Sequence, residues 1–289
     1  MIRLLTTIAA AALTLTACTP NAAAPAAEDV VAETPAAVPP SAPDGFQLSY
    51  KLESANYAVE SEIDPAILAF DPALAWRLWE TSREQLDDLG ASADEGRKMA
   101  DEDTAATGAT SWFMNYSLEI RHDVTGTFDD IISVRDTVST FTGGAHPNYF
   151  LAGGIYRKNE ATPLPLTTFV TDQAAFNDLV IKGLAAEKIA RGLSKADSAA
   201  IETELRELLV ASPEAPEIYR SNFVFEASTL PGKIGGITVM FSPYDVGSYA
   251  EGAYTVTLPA ASLTPILTET WRSRFGGEPL VEDDEAPEE

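Results

Sequence analysis

The stretch Asn222-Phe-Val-Phe-Glu-Ala-Ser-Thr-Leu-Pro-Gly-Lys-Ile-Gly-Gly-Ile-Thr-Val-Met-Phe-Ser-Pro-Tyr-Asp-Val-Gly-Ser-Tyr-Ala-Glu-Gly-Ala-Tyr-Thr-Val-Thr-Leu-Pro259 holds three apolar runs cut by glycine-rich segments. "NFVFEA", "GITVMF" and "AYTVTL" are short and rich in β-branched and aromatic residues, which predicts three strands. "LPGKIGG" lies between the first two and lacks Walker spacing, so it reads as a hairpin turn and not a phosphate loop. "FSPYDVGSYAEG" (241–252) sets Pro243, Tyr244 and Tyr249 in the loop between the second and third. Tyrosines there either present rigid apolar area with a polar tip to a partner, or tuck into the core and shape the loop.

Upstream, the periodicity alternates between helical and extended. "FQLSYKLESANYAVESEI" (46–63) reads as one extended strand. A helix is expected from Asp71-Pro72, an acidic N-cap with proline at the first helical position. Leu74, Leu78, Leu86 and Leu89 give its apolar stripe to about Asp101, and a break would fall at Gly90 or Gly96. "WFMNYSLEIRHDV", "DDIISVRDTVSTF" and "NYFLAGGIYRK" predict an antiparallel meander. Helices follow over 172–191 and 195–210, and a last one from Ala260 through "SLTPILTETWRSRF". Helices and strands are segregated, so the expected class is α+β: two small domains, each an antiparallel sheet packed with helices.

The ends read differently. Met1-Ile2-Arg3 followed by the apolar run Leu4–Leu15 is too short to span a bilayer and suits a signal peptide over 1–17. Leu15-Thr16-Ala17-Cys18 resembles a bacterial lipobox, which implies lipidation of Cys18, the one cysteine of the sequence. No disulfide within the chain and no cysteine-held zinc site follow from that count. Residues 18–45, rich in proline, alanine and acids, read as a disordered tether, and 278–289 as an acidic tail. The body therefore divides into expected domains at 46–160 and 161–277. The expected place is the cell envelope, on the membrane through the lipid anchor only. Thr19 after Cys18 points to the outer membrane, facing the periplasm, if the cell is Gram-negative.

With 44 acidic against 19 basic residues, the formal net charge is −25. Such a chain repels nucleic acid and anionic surfaces and attracts a cationic partner in a salt-dependent way. Catalytic chemistry finds few parts. There is no G-x-S-x-G elbow and no H-E-x-x-H, and His122 and His146 are the two histidines. His122, in "EIRHDV", reads as an exposed strand residue. No catalytic residue, metal or cofactor is expected.

The remaining candidate is "STFTGGAHPNYFL" (139–151). Gly143 and Gly144 allow positive φ after a strand, and Pro147 holds His146 extended. Those three residues make a turn. His146 either latches it or faces a ligand, with Asn148, Tyr244 and Tyr249 as fellow candidates for binding.

"FTGGAHPN" (141–148) resembles the signature of the bacterial domain of unknown function 4163. "TPLPLTTFV" resembles the opening of the domain that follows it, with Thr168 where an acid is usual. Phe241, Pro243, Tyr244, Val246, Tyr249, Ala250 and Gly252 match the marker of the domain of unknown function 3298. The pair is similar to the extracytoplasmic region of RsiV-type anti-sigma factors, which bind lysozyme. The first domain is also similar to the N-terminal part of PdaC-type peptidoglycan deacetylases. Neither sigma-factor control nor deacetylation is carried over. The resemblance implies a binding or sensing protein of the envelope, with a lysozyme-like cationic protein or peptidoglycan as partner. The alternatives are a structural lipoprotein supporting an envelope complex, and an enzyme modifying wall polymers through His146.

Overall fold

The computed structural model describes residues 42–192, 196–211 and 222–281. The signal peptide, Cys18, the tether as far as residue 41 and the tail from residue 282 lie outside the described residues. The fold is α+β, with helices packed on two sheets.

The first sheet runs in the order β1 (Ser49–Glu53), β2 (Tyr57–Ile63), β3 (Tyr116–Phe128), β4 (Ile131–Phe141) and β5 (Asn148–Arg157). The single strand expected over 46–63 is in fact a hairpin. Ser54 Oγ accepts from the N–H groups of Asn56 and Tyr57, both at 3.1 Å, and folds the chain back. The sheet is also not wholly antiparallel, because β2 pairs with β3 in parallel, Tyr57 opposite Tyr116. A parallel pair needs a long crossover, supplied by α1 (Pro65–Phe70) and α2 (Pro72–Thr107).

α2 starts where the sequence predicts, with the Asp71 carboxylate accepting from Ala73 N–H at 2.9 Å. It then runs unbroken through both expected breakpoints. A Cβ at Gly90 would lie 2.9 Å from Tyr57 Cζ, and one at Gly96 3.0 Å from Tyr116 Oη. These glycines admit aromatic rings against the helix backbone; they do not end the helix. Gly108, at φ +73°, does end it.

The second sheet has the order β8 (Tyr254–Pro259), β7 (Ile234–Phe241), β6 (Phe223–Ser228) and β9 (Pro279–Leu280), all antiparallel. The three strands of the opening quotation are therefore its body, and the expected acidic tail over 278–289 contributes the short strand β9. α3 (Gln173–Ala190) packs on β8 through Gly183, where a Cβ would collide with Val256. α4 (Ser198–Arg206) continues as a wider π-helical turn over Glu207–Ala211. The expected last helix is broken into Ala260–Leu263, a 3-10 turn at Thr264–Ile266 and Glu269–Arg272. Pro265 lacks the N–H that would continue it, and Leu267 is extended.

The sheets meet along β6, which lies across β3, β4 and β5. Ser133 Oγ accepts from Phe225 N–H at 2.8 Å, and Thr125 Oγ1 donates to Phe225 C=O at 2.7 Å. Arg135 and Glu226 pair at 3.3 Å within the junction. Gly153 gives room here, since a Cβ would stand 2.6 Å from both Val224 Cγ1 and Met240 Cε. Phe128, Ile131 and Ile155 of the first sheet join the main core of the second, built around Phe169, Phe223, Phe225, Trp271 and Phe275.

Candidate binding surface

The loop between β4 and β5 meets the loop between β7 and β8. In the first, Gly143 and Gly144 take φ of +91° and +113°, and the turn leaves His146 and Asn148 exposed. The His146 ring donates from Nδ1 to the Pro147 carbonyl at 2.9 Å, and the Tyr249 hydroxyl donates to the same carbonyl. The His146 and Tyr249 rings stack with centroids 3.7 Å apart and planes 16° from parallel. Tyr149 Oη accepts from Ala253 N–H at 2.8 Å, a second tie between the loops.

Tyr244 stands 5.6 Å from Tyr249 and completes a ladder of three rings. It occupies the third position of the turn Ser242-Pro243-Tyr244-Asp245, closed by Asp245 N–H on Ser242 C=O at 3.1 Å. The Asp245 carboxylate accepts from Ser242 N–H at 2.7 Å, and burial raises its pKa. Proline second and positive φ third is the pattern of a type II turn, whose third residue is usually glycine. Tyr244 sits there at φ +76°, with 64% of its surface exposed. His146, Tyr244 and Tyr249 thus share one surface, and His146 both latches the turn and faces solvent. Asn148 begins β5 opposite Thr140, exposed and outside the ring stack.

What holds the ladder lay outside the sequence reading. Ser248 and Glu251 form a capping box around the 3-10 turn Tyr249–Glu251. Glu251 accepts from Lys188 Nζ and from the Tyr254 hydroxyl, each at 2.7 Å. The Lys188 hydrogen bond, helped by Ser248 N–H and Tyr254, holds the Glu251 pKa down to about 2 against the opposing effect of desolvation. Burial first, and Glu251 second, push the Tyr254 pKa up. Arg191 donates to the carbonyls of Glu251 and Ala253 at 3.0 and 2.9 Å and lies 4.2 Å over the Tyr254 ring. Behind the turn is a cavity of about 170 Å³ lined by Lys188, Ile201, Leu205, Val246 and Glu251 among others. The S-x-x-E pattern at 248–251 was the available signal; Lys188 on α3 and Arg191 at its C-cap, some sixty residues away, left none.

The reading of His122 is corrected. It is 5% exposed, its Nδ1–H donates to Asp136 at 2.6 Å, and its Nε2 faces Ser82 Oγ at 2.9 Å. That is the connectivity of a serine–histidine–aspartate relay. Ser82 is 1% exposed, however, so its Oγ has no approach for a substrate carbonyl, and the three residues bond α2 to β3 and β4. Among the described residues no group of three or more His, Cys, Asp or Glu is placed to hold a metal ion. No described helix is long and apolar enough to cross a membrane.

Residues 181–261 match the family model described as protein of unknown function (DUF3298), so this part of the chain is a DUF3298 domain. It contains the β7–β8 loop and its supports on α3. No curated protein matches the chain. A crystal structure of a DUF3298 family member from Bacteroides fragilis is similar at a TM-score of 0.51 and 19% identity, over 76% of this chain and 92% of that one. A DUF3298 family protein from Pseudomonas aeruginosa gives 0.46 and 14%, over 80% and 95%. The Bacteroides likeness is one of fold.

Proposed function

We propose that this chain is a lipid-anchored binding protein of the cell envelope, which captures a basic, lysozyme-like protein on the His146–Tyr249–Tyr244 ladder. The observation that carries the reading is Tyr244, a mostly exposed tyrosine held at a backbone position suited to glycine. Backbone strain of this kind costs on the order of 1 kcal/mol and points to use of the side chain. Exposed tyrosine at the tip of a braced loop is a good anchor for a protein interface. The net charge of −25 favours a cationic partner, and so does the resemblance of residues 141–148 and 241–252 to the two envelope domains. The lipobox at Cys18 supports the anchor.

Titration of the purified protein with lysozyme at 20 and 150 mM salt tests this. The expected result is binding that weakens with salt and falls at least tenfold in Tyr244→Ala. Absence of binding at low salt, or equal binding by the variant, overturns the lysozyme-like partner. A cell-wall glycan is the second reading, favoured by the exposed Tyr244 face, on which a sugar ring could stack. Chito-oligosaccharide binding that Tyr244→Ala abolishes, without lysozyme binding, would select it.

A further inference from the structure

A second set of exposed apolar residues lies at the C-terminal end of α2, which passes the first sheet at the same end as the β4–β5 loop of the ladder. Gly90 and Gly96 face Tyr57 and Tyr116, the first residues of β2 and β3, so α2 reaches the end of the sheet there. Residues 97–107 continue about 16 Å further at 1.5 Å per residue. The returning segment 108–115 packs on the base of this overhang through Phe113. Phe113 comes within 3.4 Å of a Cβ placed on Gly96, stacks on Tyr116 at 5.4 Å, and has the Arg97 guanidinium 5.8 Å from its ring. Ala100 is fully buried. The helix end and the return segment therefore form a projecting finger.

Its surface is unusual for an exposed element. Met99, Trp112 and Met114 are 55, 53 and 48% exposed. Along the helix, Glu95 and Asp103 stand four residues before and after Met99, on the same face. Both are exposed. The two local cations are already engaged, Arg97 with Asp101 at 3.0 Å and Lys98 with Glu102 at 4.0 Å. Among the described residues neither Glu95 nor Asp103 has an ion-pair partner. Exposed methionines and a tryptophan on one finger, with unneutralised acids along the helix face of Met99, are complementary to an apolar side chain flanked by lysine or arginine. A lipid surface would leave those acids uncompensated at the membrane.

We infer that this finger docks a basic amphipathic protein segment, independently of the ladder. The test is fluorescence anisotropy of a labelled fourteen-residue helical peptide of leucine and lysine, titrated with the full-length chain. A serine–lysine peptide of equal charge is the control. The expected result is at least tenfold weaker binding by the Met99→Ser, Trp112→Ser double variant, with its circular dichroism and melting temperature unchanged. Tyr244→Ala should bind like the parent, and the serine–lysine peptide at least tenfold more weakly than the leucine–lysine one. Equal binding of the two peptides, or unchanged binding by the double variant, overturns the inference. Loss in Tyr244→Ala alone would move the peptide to the ladder and also overturn it. A blue shift of Trp112 emission on phosphatidylcholine vesicles, without peptide binding, would assign the finger to lipid instead.

Discussion

Tyr244 carries the most information per residue. Its φ of +76° is uncommon for any side chain and most so for a bulky one. Tyr244→Gly should therefore raise stability by about 0.5–1 kcal/mol, seen as a higher urea midpoint, while weakening capture of the partner. A lower midpoint would mean that the ring's contact with Tyr249 outweighs the strain. "SPYD" shows proline where a turn wants it. The residue after it gives no hint of positive φ, because glycine or asparagine is the usual occupant. The candidate residues were legible one by one; the strain on one of them was not.

At the scale of elements, α3 and the β7–β8 loop work as a unit through Lys188, Arg191 and Glu251. The Glu251 pKa falls from 4.5 to about 2 on folding, chiefly through the Lys188 hydrogen bond. A depressed carboxyl contributes stability above its unfolded pKa and loses it as pH drops through the folded one. Glu251→Gln should thus lower stability at pH 7 by on the order of 1–2 kcal/mol, solvent screening of the partly exposed pair included. The gap to the parent should close between pH 4.5 and pH 2. Thermal midpoints across that range check it, and a gap independent of pH would assign the loss to packing. α2, α3 and α4 were readable from caps and apolar spacing. Gly90 and Gly96 misled, because a helical glycine looks the same whether it breaks the helix or admits a ring.

For the whole molecule, the junction between the sheets is the decisive feature. Arg135 and Glu226 pair there at 3.3 Å, with side chains 10% and 2% exposed. Removing one charge strands the other, so Glu226→Gln should cost about 3–5 kcal/mol. Replacing both, Arg135→Met with Glu226→Leu, should return stability to within about 1 kcal/mol of the parent. Urea unfolding of the two variants distinguishes this from a junction held by packing alone. In that case Glu226→Gln would cost little.

By itself the sequence determined the α+β class, most strand and helix positions, and the two loops that carry the aromatic candidates. These are local properties, written in apolar period, caps and turn residues. Tertiary structure alone decided that β2 joins β3 in parallel and that His122 is sealed between Ser82 and Asp136. It also brought His146 onto Tyr249, from loops a hundred residues apart. Each depends on which surfaces bury each other, and burial between distant segments is set by the whole packed chain. "NFVFEASTLPGKIGG", the start of the stretch that read as a hairpin, is that hairpin, and its first strand is also the seam along which the two sheets meet.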